Sequence, residues 1–183
     1  MLDQKILHMQ KSRWNVVNAS TTQRERERDL LVDDWLDLFE ETMQSCTTPI
    51  IDLGCGKGND VLYLIEHGKT NVIPCDYSGP AIDNIKKNFP EILRAECFDM
   101  AAGFPFPDEF TDVIIANLSL HYFTEKITHE IVSEIKRILK PQGILIFRVN
   151  SIRGVNNNWL EVEPHLFRDP DEGYKRFFDE DDI

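Results

Sequence analysis

The chain reads as an α/β protein built on a doubly wound, mostly parallel sheet with helices on both faces. Three observations predict this. From Pro49 onward, short apolar runs alternate with amphipathic, helix-like stretches, the pattern of a parallel sheet covered on both sides. A glycine turn, Gly54-Cys55-Gly56-Lys57-Gly58, joins the first run to the first helix. Acidic or amide residues recur at or just past the ends of the runs, at Asp52, Asp76, Asp99 and Asn117, where ligands bind in open α/β sheets.

The elements follow in order. Residues 1–20 are polar and weakly patterned, with Trp14 as their large anchor. Thr22-Gln23-Arg24-Glu25 reads as a capping box. It opens a helix carrying Leu30, Leu31, Trp35, Leu38 and Phe39 and ending near Gln44. Ile50–Leu53 is the first strand, and a helix runs from Asn59 to about His67, with Gly68 as its C-cap. Val72–Cys75 is the second strand. Ser78 caps the next helix, with Pro80 in its first turn. Ala95–Phe98 and Asp112–Asn117 are strands three and four. Thr124 caps a helix whose Ile127, Ile131, Ile135, Ile138 and Leu139 share one face. Lys140-Pro141-Gln142-Gly143 is a turn leading to a fifth strand, Ile144–Val149. After Ser151 the pattern is lost, and Phe177–Ile183 resembles the start of a capped helix. The expected organisation is an N-terminal helical segment (1–46), an α/β core (47–150) and an irregular C-terminal segment (151–183).

Composition narrows the function. The 183 residues carry 42% apolar side chains, enough for one domain with a packed core. The net charge of -12 speaks against a phosphate-backbone partner, which needs clustered Lys and Arg, and against anionic membrane surfaces. No run is long and apolar enough for a membrane span, and Met1-Leu2-Asp3-Gln4 lacks the pattern of a signal peptide. A cytoplasmic protein is expected. Cys46, Cys55, Cys75 and Cys97 form no C-x-x-C pair, so buried reduced thiols are expected rather than a metal site.

The glycines at 54, 56 and 58 leave Asn59 where a dinucleotide fingerprint wants Gly or Ala. Asp76, about twenty residues beyond the turn, can accept both hydroxyls of a ribose. Tyr77 beside it either stacks on a base or packs on its own helix. Asp99 either accepts from an exocyclic amine or caps a loop.

Ile51-Asp52-Leu53-Gly54-Cys55-Gly56-Lys57-Gly58, Asp76, Phe98-Asp99-Met100, Phe110-Thr111-Asp112-Val113-Ile114 and Arg137-Ile138-Leu139-Lys140-Pro141-Gln142-Gly143-Ile144-Leu145 together resemble the class I S-adenosylmethionine-dependent methyltransferases, over residues 45–150. Asn59-Asp60 and Cys75-Asp76-Tyr77-Ser78 are similar to the tellurite-resistance-like branch, which methylates small molecules. The resemblance implies a Rossmann-like fold and S-adenosyl-L-methionine as cofactor. It implies that Asp52, Gly54, Gly56 and Gly58 frame the methionine end, that Asp76 takes the ribose, and that Asp99 with Met100 takes the adenine. Asn117 is placed near the methyl group. The antiparallel strands that end the family's sheet are not found. Either the chain is cut short or the tail from Asn156 serves another purpose. His121 in the loop after strand four is the candidate general base, or else a histidine packed at a helix start. Arg148 and Asn150 are candidates to read the acceptor, with a structural ion pair as the other reading of Arg148. The helix around Trp14 and Trp35 is read as a lid or as core packing. The expected activity is methyl transfer to a small molecule, with no nucleic-acid or membrane partner and the oligomeric state open. The alternatives are a non-catalytic cofactor-binding protein and an NAD-dependent oxidoreductase, which Asn59 disfavours.

Overall fold

The computed structural model describes residues 2–20, 34–170 and 173–182. Among these, strands β1 (Ile50–Leu53), β2 (Val72–Asp76), β3 (Glu96–Cys97), β4 (Thr111–Asn117) and β5 (Leu139–Arg148) form one parallel sheet, ordered β3-β2-β1-β4-β5. The order reverses at β1, which pairs with β2 on one side (Ile51↔Ile73) and β4 on the other (Ile51↔Ile114). A crevice therefore opens beyond the end of β1, where the glycine turn lies.

All four residues of β1 and all five of β2 are buried, as continuous burial on both faces demands. Alternate residues feed two cores. Ile50, Val72, Val113, Ile115 and Ile146 face one layer with helices α3 (Asn59–Glu66) and α4 (Gly79–Asn88). Ile51, Leu53, Ile73, Ile114 and Ala116 face the other with α5 (Glu125–Ile138), whose Ile127, Ile131, Ile135 and Ile138 are all buried. Caps follow the sequence at two ends. Ser78 accepts from the Ala81 N–H at 3.4 Å, and Gly68 takes a positive φ of 77° after α3.

The structure departs from the sequence reading in several places. The weakly patterned N-terminus is a long helix, α1 (Leu2–Ser20). The capping box at Thr22–Glu25 and Leu30 and Leu31 lie outside the described residues. Asp34–Phe39 is a 3-10 helix followed by α2 (Glu40–Ser45). It buries Leu36 and leaves Leu38 88% exposed. β3 is two residues long. β5 begins at Leu139, and Lys140–Gly143 loops out as the register jumps from Thr111↔Leu139 to Val113↔Ile144, with Gln142 at φ 70°. Thr124 stands at the start of α5 without capping it, because its Oγ1 donates to Asp3 of α1 at 2.7 Å. Cys55 and Cys75 are buried thiols, but Cys46 is half-buried and Cys97 exposed.

The irregular C-terminal segment is an antiparallel meander, β6 (Leu160–Glu163), β7 (Leu166–Asp169) and β8 (Gly173–Arg176). Phe178, expected to start a helix, instead bridges Ser151. The meander is a separate sheet and adds no strand to β5. Arg176, 6% exposed, ties it to the core. Arg176 ion-pairs with Glu163, and its Nε donates to the Phe123 carbonyl. Glu163 also accepts from the Glu125 N–H at the start of α5.

Candidate active site

The turn after β1 is shaped by backbone that only glycine adopts cheaply. Gly54, Gly56 and Gly58 have φ of 76°, 49° and 93°, in the left-handed region. At Gly54 a side chain would place its Cβ 2.4 Å from the Ser119 Cβ, so the loop after β4 closes onto the turn. Gly58 serves packing instead: a Cβ there would lie 2.6 Å from Phe89 and 2.7 Å from Ile85 of α4. Close helix approach, which a dinucleotide fingerprint assigns to its third glycine, is thus supplied at position 58.

Gly54 and Gly56 line two adjoining cavities of about 300 and 230 Å³. The larger brings together Asp76, Tyr77, Asp99, Met100 and Asn117, each picked out from the sequence. The smaller adds Lys57, Asn59 and Asp60. Asp76 closes the turn from β2, accepting from the Gly56 N–H at 3.0 Å and the Ser78 N–H at 2.8 Å. Burial raises its pKa, and these N–H donors pull the other way. Asp99 accepts from the Ala101 N–H at 3.0 Å and so also caps the short 3-10 turn Met100–Ala102. Tyr77 donates its hydroxyl to the Gln10 carbonyl at 2.9 Å, fastening α1 over the opening.

Asn117 is held from both sides. Its Oδ1 accepts from Arg148 Nε at 2.9 Å, and its Nδ2 donates to Asp60 at 3.2 Å. Trp35 also donates to Asp60, at 2.9 Å, and the Arg148 guanidinium lies 4.6 Å from the Trp35 ring centroid. Arg148 thus lines neither cavity and braces Asn117 against Trp35, in line with the structural one of its two readings. Asn150 lies outside both cavities, its carbonyl accepting from the Phe178 N–H at 2.8 Å.

For His121 the base reading is corrected. It is 3% exposed and lines neither cavity, while its neighbour Tyr122 lines the larger one. Burial, with the charge of Lys175, lowers its pKa to about 4, so the ring is neutral at pH 7. Asp52 lies behind the turn, 1% exposed, with both carboxylate oxygens unpartnered among the described residues. Burial pushes its pKa well above the carboxylate range, and the charges of Asp60 and Asp76 push the same way.

The sequence reading missed the wall contributed by α1 beyond Trp14, namely Leu7, Gln10, Lys11 and Asn18, and the loop residues Leu118 and Ser119. Gln10, Trp14 and Asn18 recur at a helical spacing of four, a signal present but hidden because the stripe is polar.

The site fits an adenosyl ligand with cationic groups. The turn offers a side-chain-free cradle at Gly54, a carboxylate stands at the end of β2, and the buried Asp52 carboxyl lies behind both. Residues 51–147 match the model of the methyltransferase domain, over half of the 183 residues. The chain belongs to the methyltransferase domain family.

This methyltransferase is 32% identical over 117 residues to a tRNA N(3)-cytidine methyltransferase of Danio rerio, covering 57% of this chain and 32% of that one. It is 33% identical over 115 residues to an uncharacterized methyltransferase of Synechocystis, covering 63% and 51%. The chain thus spans a third to a half of the length of these relatives. An S-adenosylmethionine-dependent methyltransferase from Clostridium acetobutylicum superimposes with a TM-score of 0.65 at 21% identity, covering 86% of this chain and 79% of that one, which shows the shared fold. The domain is of the methyltransferase kind, and S-adenosyl-L-methionine is the cofactor that this family implies. The tRNA N(3)-cytidine methyltransferase of Danio rerio among the relatives overturns the exclusion of nucleic acid drawn from the -12 charge. No helix among the described residues is long and apolar enough to cross a membrane.

Proposed function

We propose that this methyltransferase acts on a ring nitrogen of an RNA pyrimidine, a nitrogen that carries a lone pair and no proton. The observation that carries this reading is the absence, among the described residues, of a histidine at the site. The lining carboxylates Asp60, Asp76 and Asp99 already accept hydrogen bonds from Trp35 and Asn117, from Gly56 and Ser78, and from Ala101. A general base is needed only where the acceptor must lose a proton. The tRNA N(3)-cytidine relative supports the same acceptor class.

In this reading Asp76 holds the ribose, Asp99 and Met100 hold the adenine edge beside Tyr77, and the Gly54–Gly56 backbone cradles the amino-acid end. S-adenosyl-L-methionine supplies an activated methyl on a cationic sulfur. Asn117, fixed by Arg148 and Asp60, lines the junction of the two cavities and positions the acceptor. Such orientation can supply up to about 7–11 kcal/mol of a barrier without a base. The positive charge passes to the acceptor ring, and the Asp60 carboxylate beside Asn117 gives that cation a favourable field.

The test is calorimetric titration with S-adenosylmethionine and S-adenosylhomocysteine, followed by transfer of labelled methyl to tRNA. Both ligands should bind, Asp76→Ala should weaken both roughly tenfold or more, and label should appear on a pyrimidine. Cofactor binding with no label on any RNA base overturns the acceptor assignment.

A further inference from the structure

Asn117 lines both cavities and stands with Gly54 and Gly56 at their junction. A closed ring of four side chains holds it there. Asn117 Oδ1 accepts from Arg148 Nε at 2.9 Å, and Asn117 Nδ2 donates to Asp60 Oδ1 at 3.2 Å. Trp35 Nε1 donates to the same Asp60 oxygen at 2.9 Å, and the Arg148 guanidinium lies 4.6 Å from the Trp35 ring centroid. Trp35 and Arg148 fall outside residues 51–147, so the ring is closed by parts of this chain that the family model does not cover. Two of its members are charged, and they face different ways. Arg148 lines neither cavity, whereas Asp60 lines the smaller one while only 7% exposed. The ring therefore turns its anion, and not its cation, toward a ligand. A carboxylate in so poorly solvated a wall acts on a nearby cation far more strongly than one in bulk water.

Resting on the cofactor placement above, and not on the acceptor, we propose that Asp60, held by Trp35 and Asn117, selects the sulfonium of S-adenosylmethionine over the neutral thioether of S-adenosylhomocysteine. With the adenosine in the larger cavity and the amino-acid end at Gly54–Gly56, the sulfur that joins them falls at the junction. The two ligands differ by one methyl group and one positive charge on that sulfur. Asp76, Asp99 and the glycine backbone meet the same groups in both. Lys57, the other charged side chain on the wall of the smaller cavity, suits the carboxylate that both carry. A charge beside the sulfur is what tells them apart. Once the methyl has gone, the thioether loses its attraction to Asp60, so the spent cofactor leaves more readily than fresh cofactor and product inhibition is limited.

Asp60→Asn is the probe. It removes the charge and keeps an Oδ1 that can accept from Trp35 and Asn117. S-adenosylmethionine and S-adenosylhomocysteine are titrated by calorimetry into wild type, Asp60→Asn, Trp35→Phe and Asp76→Ala. Wild type should bind S-adenosylmethionine roughly tenfold more tightly. Asp60→Asn should abolish that preference by weakening S-adenosylmethionine and leaving S-adenosylhomocysteine unchanged. Trp35→Phe, which alters no cavity-lining residue, should shrink the preference by a smaller factor, and Asp76→Ala should weaken both ligands alike. Equal affinities in wild type, or an undiminished preference in Asp60→Asn, overturn the proposal. A loss of equal size on both ligands moves Asp60 to the amino-acid end they share and overturns it too. Should Asp60→Asn fail to fold, as read by circular dichroism, an undiminished preference in Trp35→Phe overturns the proposal in its place. Failure of wild type to bind either ligand would instead overturn the cofactor assignment beneath it.

Discussion

From the sequence His121 is either a base at the pocket mouth or a histidine packed at a helix start, and its burial matches the second reading. With a pKa of about 4 in the fold and about 6.5 in the unfolded chain, the native state binds fewer protons between those values. Stability therefore falls as the pH drops from about 6.5 toward 4, and nothing is lost above that window. His121→Phe keeps an aromatic ring beside Tyr122, 4.2 Å away between centroids, and removes the titration. Wild type should lose about 3 kcal/mol relative to this variant between pH 7 and pH 4, measured by denaturant unfolding at each pH. The opposite, raised shift at Asp52 is present in both proteins and cancels. Parallel pH profiles would rule out a proton-excluded His121. The residue type was legible in the sequence. Its distance from the cavity was not, because a single turn of 3-10 helix, Leu120–Tyr122, decides which of three adjacent side chains faces inward.

At the scale of elements, Arg176 clamps the meander β6–β7–β8 to the core, beside the packing of Leu166 and Tyr174 on Ile6 of α1. One partner of a buried ion pair cannot be removed without stranding the other in a poorly solvated place. Arg176→Met leaves Glu163 facing α5 without its cation and frees the Phe123 carbonyl. The expected cost is about 3 kcal/mol or more, a Tm drop of roughly 10 °C for a domain of this size. Hydrogen exchange should quicken first in β6–β8. A change under 1 °C would show that the clamp carries nothing. The meander escaped sequence reading for a local reason. Its strands are four residues each and charged, and its first hairpin turns on Pro164-His165, with His165 at φ 62°. A left-handed histidine is not the glycine or asparagine signal that marks such turns.

Across the whole molecule, α1 joins parts far apart in sequence. Asp3 meets Thr124, Gln10 meets Tyr174 and Tyr77, and Asn84 donates to the Asn18 carbonyl. The helix thereby roofs the cavity and depends on both the meander and the core. We propose that it is a lid whose closed position the cofactor favours. Ligand binding to the closed state protects by mass action, so trypsin cleavage after Lys11 and Arg13 should slow roughly tenfold at about 10 Kd of S-adenosylhomocysteine. Unchanged cleavage would leave α1 as fixed packing.

The sequence by itself determined the sheet, its order of helices and strands, and the cavity-lining residues at its strand ends. Continuous burial of β1 and β2, the left-handed glycines and the face of α5 are written in local pattern and backbone chemistry. Asp76, Asp99 and Asn117 could be placed because strand ends follow from strand positions. Tertiary structure alone decided what surrounds them. It turned Arg148 into a brace for Asn117, set Gly58 against α4, withdrew His121 from the pocket and brought Gln10 and Trp14 over it. These outcomes depend on contacts between residues tens to more than a hundred positions apart, and periodicity within a segment carries no information about which distant segment will cover it.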